Sequence, residues 1–414
     1  MSCCGSAIIA LVITILGPAA ARAQENAKDH VEPRLSRPQF TLFVRQLGLD
    51  SDQRSIAELM FSDYAGALDS LTAELEQQAM GAGLRTVQDA MTGKTRIPAD
   101  ELRASRVAVL KIYQQAGPSV DKALDDLVFG VESVLTETQA PHFAQAVREL
   151  HRNLLLHPRQ ASRDFQEYAG EGVDVLLLAE NAKAQSGELH ALAPDAIHNV
   201  LAEYERELDA LLLRQAAAHR DGKLARKIAT IEKDTAAIRD LDQAALTRWK
   251  ELYQLNLRAV RQIGDIAASS LGEDARRKWL DRFDQASFTW LYPRRRPDRQ
   301  IDWIRQQSLP ADPREQAEAT YENYLNRRRE LSRQAIDIML RARLEFQTMV
   351  YSMMDPASID DGASRGLYEE LLKNSGEQAN LDSITAAALE TLLNSTQREA
   401  MRKALQGPDP ASRR

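Results

Sequence analysis

At 414 residues the chain is long enough for two or three compact units. Its 53 basic and 60 acidic residues are mixed along the sequence and leave a net charge of −7. That mixture excludes the one-sided basic face of a nucleic-acid binder. Glycine (19) and proline (15) are sparse among abundant Ala, Leu, Gln, Glu and Arg, so composition alone points to an all-α protein.

The first element is a leader. Ala7 to Leu16, AIIALVITIL, is an unbroken apolar run followed by Gly17-Pro18 and Ala21-Arg22-Ala23. This order reads as a secretory signal peptide over residues 1–23, cleaved after Ala23, with a periplasmic or secreted destination. Ten apolar residues are too few to cross about 30 Å of hydrocarbon as a helix. The competing reading is an uncleaved N-terminal anchor, since the preceding MSCCGS carries no Lys or Arg. No later segment has the apolar length of a transmembrane helix. Cys3 and Cys4 both fall in the leader, so the expected mature chain has no disulfide and no thiolate chemistry.

Residues 24–38 are polar and unpatterned and are expected to form a flexible lead-in. Next, FVRQLGLDSD (Phe43–Asp52) aligns with WIRQQSLPAD (Trp303–Asp312), and a looser LAPD stands at Leu192–Asp195. Each Asp is followed nine residues on by an aromatic: Phe61, Tyr204, Tyr321. Ile56, Leu59, Met60, Tyr64, Leu68, Leu71 and Leu75 then repeat at helical spacing. Further along, LTETQAPHFAQAVRELHRNLL (from Leu135) matches LGEDARRKWLDRFDQASFTWL (from Leu271), and LNSTQREAMRKAL (from Leu393) is a shorter copy. We read three diverged helical repeats, 39–158, 159–296 and 297–406, with a disordered tail over 407–414. Chance similarity between amphipathic helices is the competing explanation. The run from Pro313 to Met354 has no internal Pro or Gly and predicts one helix of about 40 residues, roughly 60 Å long, so elongated bundles are expected. Asp355 to Gly366 reads as a loop.

The first and third repeats contain helix starts written in capping residues. Thr136-x-x-Gln139 is a capping box, in which the Thr oxygen accepts a free N–H and the Gln reaches back to the cap N–H. Asp50-x-x-Gln53, Asp312-x-x-Glu315 and Asn394-x-x-Gln397 offer the same pairing. Pro141 leaves the frame of the Thr136 helix open: a cap at Thr136 puts this proline inside the helix, and a cap at Thr138 puts it in the first turn.

Leu135-Thr136-x-x-Gln139, heading a charged amphipathic helix, resembles the L-T-x-x-Q motif of the Spy/CpxP family of periplasmic chaperones and stress adaptors. Leu49-x-x-x-Gln53 and Leu393-x-x-x-Gln397 match with Asp50 and Asn394 in the Thr position; Leu271 keeps only its Leu. The matched segments cover about a fifth of a chain some three times a typical member's length. The resemblance implies a curved helical cradle, usually dimeric, that holds unfolded clients without ATP.

No reaction is legible. The seven histidines include no pair four apart and no H-E-x-x-H, and Asp195-x-x-His198 is the nearest approach to a ligand pair. Phosphate-binding glycine loops and a G-x-S-x-G elbow are absent. The sequence therefore predicts no catalytic residue, no metal and no cofactor. Phe143, Val147, Trp279, Phe283 and Trp290, with the basic run Arg294-Arg295-Arg296, form the candidate surface for a client or partner; a buried core and a solvated linker are the plainer roles for the same residues. Arg327-Arg328-Arg329 is a second basic run. The expected function is an exported helical binding protein, an ATP-independent chaperone or envelope-stress adaptor, with unfolded or envelope proteins as partners, no nucleic acid, and a homodimer implied by the resemblance. The alternative is a structural scaffold of the envelope.

Overall fold

The structure is a computed structural model that describes residues 34–156, 173–186, 194–346 and 362–405. The expected leader, the 407–414 tail and most of the 355–366 loop lie outside the described residues. Every regular element among the described residues is a helix, and none is a strand, so the fold is all-α. No described helix is long and apolar enough to cross a membrane.

The chain separates into two compact units, residues 1–155 with 212–245, and residues 156–211 with 246–414. In the first unit α1 (Arg37–Gln46) leads into α2 (Ser51–Gly81), α3 (Leu84–Met91), α4 (Ala99–Gln114), α5 (Gly117–Ser133) and α6 (Ala140–Leu155). Two long helices, α8 (Pro194–Glu232) and α9 (Thr235–Leu271), begin or end in this unit and contribute residues 212–245 to it. Its core joins Phe40, Phe43, Leu49, Leu68, Leu110, Tyr113 and Leu150 with Leu224 and Ile228. Phe40 stacks on Phe61 with ring centroids 4.5 Å apart, an arrangement worth about 0.5–1.5 kcal/mol beyond area burial.

The buried stripe of α2 is Gln53, Ala57, Phe61, Tyr64, Leu68, Thr72, Leu75 and Ala79. These positions step by three and four, so they stay on one side of the helix. Ile56 and Leu59, which the sequence pattern also placed in the stripe, fall outside it and are exposed. Helix α2 carries apolar residues on more than one side, and only its packing on α4 and α5 decides which side is core.

The second unit holds α7 (Val175–Ser186), the first part of α8, the last part of α9, α10 (Glu273–Ser287), a 3-10 turn at Thr289–Leu291, α11 (Arg296–Arg305), α12 (Ala311–Phe346), α13 (Gly362–Thr391) and α14 (Ser395–Leu405). Gly362 to Gly366, read from sequence as loop, is the first turn of α13. Trp249 stacks on Tyr253, which meets Phe283. The Trp279 indole N–H donates to the Val260 carbonyl at 2.8 Å.

One order of elements recurs. A short helix is followed by a long one, the chain returns, and a closing helix packs on the short one: α6 on α1, α10 on α7, α14 on α11. In all three the extended residues ahead of the short helix are held by a polar side chain from a long helix. Leu35 N–H donates to Tyr64 Oη at 2.9 Å, Asn256 Nδ2 donates to Val173 O at 3.1 Å, and Arg328 Nη2 donates to Pro293 O at 2.6 Å. The first of these latches also corrects the lead-in: residues 34–38 are ordered, with Leu35 buried.

Candidate functional site

The motif residues converge in the first unit. Asp50 caps α2 by accepting from Asp52 and Gln53 N–H, both at 2.9 Å. Gln53 Oε1 accepts from Asp50 N–H at 3.0 Å, which closes the capping box. The same side chain turns its amide outward from its own helix: Nε2 donates to Val134 O at 2.7 Å and to Gln139 Oε1 at 2.9 Å. Gln139 mirrors it. Its Oε1 accepts from Thr136 N–H at 3.0 Å, and its Nε2 donates to Gly48 O at 3.1 Å and to Gln53 Oε1 at 3.0 Å. Two helix starts 86 residues apart are thus clasped by a reciprocal amide pair.

This geometry explains why the motif ends in glutamine. The position must accept from its own cap and donate to a neighbour's free carbonyl, and a primary amide does both while a carboxylate only accepts. Leu49 and Leu393 are buried, and Leu135 packs half-buried against the core of the first unit. The frame at Pro141 also resolves. The Thr136 box closes a turn ahead of the helix, with Gln139 N–H donating to Thr136 O at 3.0 Å, and α6 proper begins at Ala140. Pro141 is therefore the second helical residue, where no intrahelical N–H bond is required.

A further box emerges at Leu35-Ser36-Arg37-Pro38-Gln39. Ser36 N–H donates to Gln39 Oε1 at 2.9 Å, and Gln39 Nε2 reaches Asn153 O at 3.4 Å, near the end of α6. It has the same L-x-x-x-Q spacing as the others. Spacing is the signal that finds it, since its polar surroundings read as lead-in. In the second unit Gln397 caps α14 by accepting from Asn394 N–H at 3.0 Å, and Asn394 Oδ1 accepts from Gln397 N–H at 2.8 Å. The residue corresponding to Gln53 there is Pro313, which has no amide to offer. At Leu271 the start of α10 uses Gly272 in place of the Thr, with φ +93°.

The candidate client surface is a different matter. Trp279 and Phe283 are 2% and 1% exposed and belong to the core of the second unit, which removes them as a surface for other proteins. Phe143 and Val147 are half-buried against the core of the first unit, with the Phe143 ring 6.4 Å from that of Phe43. The side chain of Trp290 lies outside the described residues. The basic run is committed to partners within its unit. Arg294 pairs with Asp302, Arg295 Nε lies 3.8 Å from Asp382, and Arg296 Nη2 is 2.5 Å from Glu390. Burial by itself would raise the Glu390 pKa. Hydrogen bonds and charge from Arg402 and Arg296 outweigh it and hold the carboxyl below its usual value. Arg327-Arg328-Arg329 is likewise structural: Arg328 meets Asp298 at 2.9 Å and Arg329 meets Asp281 at 2.5 Å. Runs of arginine look like a free cationic patch in sequence because most of their carboxylate partners stand far along the chain, 30 residues from Arg328 and 94 from Arg296.

Among the described residues no three His, Asp or Glu side chains converge to hold a metal ion. The fold and site together define a class: an all-α protein of short-and-long helix units whose helix starts are clasped by glutamine boxes. Comparison with protein-family models, with curated proteins and with solved structures gives no match for this chain.

Proposed function

We propose that the protein is an exported helical binding protein that holds unfolded or envelope proteins through weak apolar contacts, without nucleotide. The observation that carries this reading is the set of large apolar side chains standing outside the cores: Leu59 at 67%, Phe129 at 71% and Ile384 at 60% exposure. Each lies on a helix whose opposite face is buried, so each costs the fold nothing to change and has a cost in water to keep. The Spy/CpxP resemblance supports a helical architecture with clasped starts. Its motif residues already have a full structural role here, so they are not assigned to client contact.

The test is suppression of aggregation of a reduced, unfolded protein by the purified chain at near-stoichiometric ratio. Suppression that falls in the Leu59→Ser/Phe129→Ser variant, with unchanged helicity, supports the reading; absence of any suppression by the natural chain removes it. A scaffold of the envelope is the second reading. It is favoured by interhelical ion pairs that fix helix positions, such as the Arg220 fork on Asp121 at 2.7 and 2.9 Å. Capture of one defined folded partner, with indifference to unfolded protein, would establish it.

A further inference from the structure

In the second unit α10 presents two carboxylates one turn apart with unequal surroundings. Asp281 is buried and held by Arg329 Nε at 2.5 Å and Arg333 Nη2 at 2.9 Å, both from α12. Asp284 is half-buried, and among the described residues its carboxyl makes no hydrogen bond and no ion pair. One turn further, the buried Ser287 hydroxyl has no hydrogen-bond partner among the described residues. Facing this cluster are Tyr253 and Arg261 from α9, Tyr292 after the 3-10 turn, and Arg329, Arg333 and Asp337 from α12. The Trp249–Tyr253–Phe283 aromatic group adjoins it.

We propose that the Asp281–Asp284 face of α10 is a proton-operated latch, in which a proton taken up at Asp284 tightens α10 against α9 and α12 and its loss loosens them. Arg333 already serves Asp281, so an ionised Asp284 has to compete for it while facing Asp281 and Asp337. Protonated, the same carboxyl has no repulsion to meet and gains a donor one turn from the unpartnered Ser287 hydroxyl. Burial, in the first place, pushes the Asp284 carboxyl up to about 6; Arg333 opposes this, and Asp281 and Asp337 add to it. The unfolded chain releases this proton near the ordinary aspartate value of 3.8. A folded-state value above the unfolded one means stability fully present below about 4 and lost as pH rises through about 6.

All four tryptophans lie in the second unit, so their fluorescence reports it without the first. Urea unfolding of the full chain and of Asp284→Asn, followed by tryptophan emission from pH 4 to 8, should show the folded-to-unfolded ratio of the natural chain falling roughly a hundredfold relative to that of the variant across this range. Asp284→Asn, neutral at every pH, should lose the falling component between pH 4.5 and 7 and raise the urea midpoint at pH 7.5 above that of the natural chain. Parallel profiles in the natural chain and the variant overturn the proposal. A second readout is independent of the variant's folding: the carboxyl carbon resonance of Asp284 in the natural chain should titrate near 6, and titration near 4 overturns the proposal equally.

Discussion

The Gln53–Gln139 clasp makes a prediction in which the two side chains must be treated as one object. Gln53→Ala removes the acceptor for Asp50 N–H, the donor to Val134 O and both bonds of the amide pair. At about 1 kcal/mol net for each bond, with water recovering part at a helix start, the loss is about 2–3 kcal/mol. Gln139→Ala removes its own cap bond, the bond to Gly48 O and the same amide pair, for about 2 kcal/mol. The shared bonds are counted in both single changes, so the double variant should fall short of their sum by about 1–2 kcal/mol. Gln53→Glu should be worse than alanine at pH 7, because a carboxylate would face two acceptors, Val134 O and Gln139 Oε1, where the amide now donates. Its burial and those acceptors raise the carboxyl's pKa, so this penalty shrinks as pH falls. Tryptophan emission does not see the first unit; urea unfolding by far-ultraviolet circular dichroism, with amide exchange at residues 50–57 and 134–142, does. Additive single effects, to within about 0.3 kcal/mol, would refute the clasp.

Three other changes test the structure at separate points. Lys233 has φ +59° where α8 ends, so Lys233→Gly should stabilise the first unit by about 0.5–1 kcal/mol and Lys233→Ala should not, measured by circular dichroism in urea. A methyl group on Gly117 would stand 2.6 Å from Arg220 Nη2, so Gly117→Ala should cost about 1–2 kcal/mol by displacing the Asp121 fork, and close to nothing when Arg220 is already alanine. Trp279→Ala should cost about 3–5 kcal/mol in the second unit's urea stability, as expected for a core ring; a stable variant that had lost client binding would restore Trp279 to the surface.

Much of the local structure was legible in the residues alone. A capping box works over three residues, so Asp50-x-x-Gln53, Thr136-x-x-Gln139 and Asn394-x-x-Gln397 announce helix starts without knowledge of anything distant. The all-α class follows from the same short-range rules. The long helix after Pro313 was legible too, as far as Phe346, where the described residues of α12 end. The box at Gln39 could have been found by the same spacing, had the polar residues around it not read as lead-in.

Which side of a helix is core, and which charge is free, is settled by residues far away in the chain. Helix α2 offers both an Ala57–Phe61–Leu68 side and an Ile56–Leu59 side, and only contact with α4 and α5 chooses between them. The three arginines at 294–296 become internal ties because Asp302, Asp382 and Glu390 are brought to them. Trp279 and Phe283 are hidden for the same reason. Hydrophobic periodicity states that a face is apolar, and says nothing of what covers it. By itself the sequence determined where helices begin and what they are made of, because backbone capping is local. The tertiary structure decided what those helices hide and what they leave in water, because burial is a property of pairs.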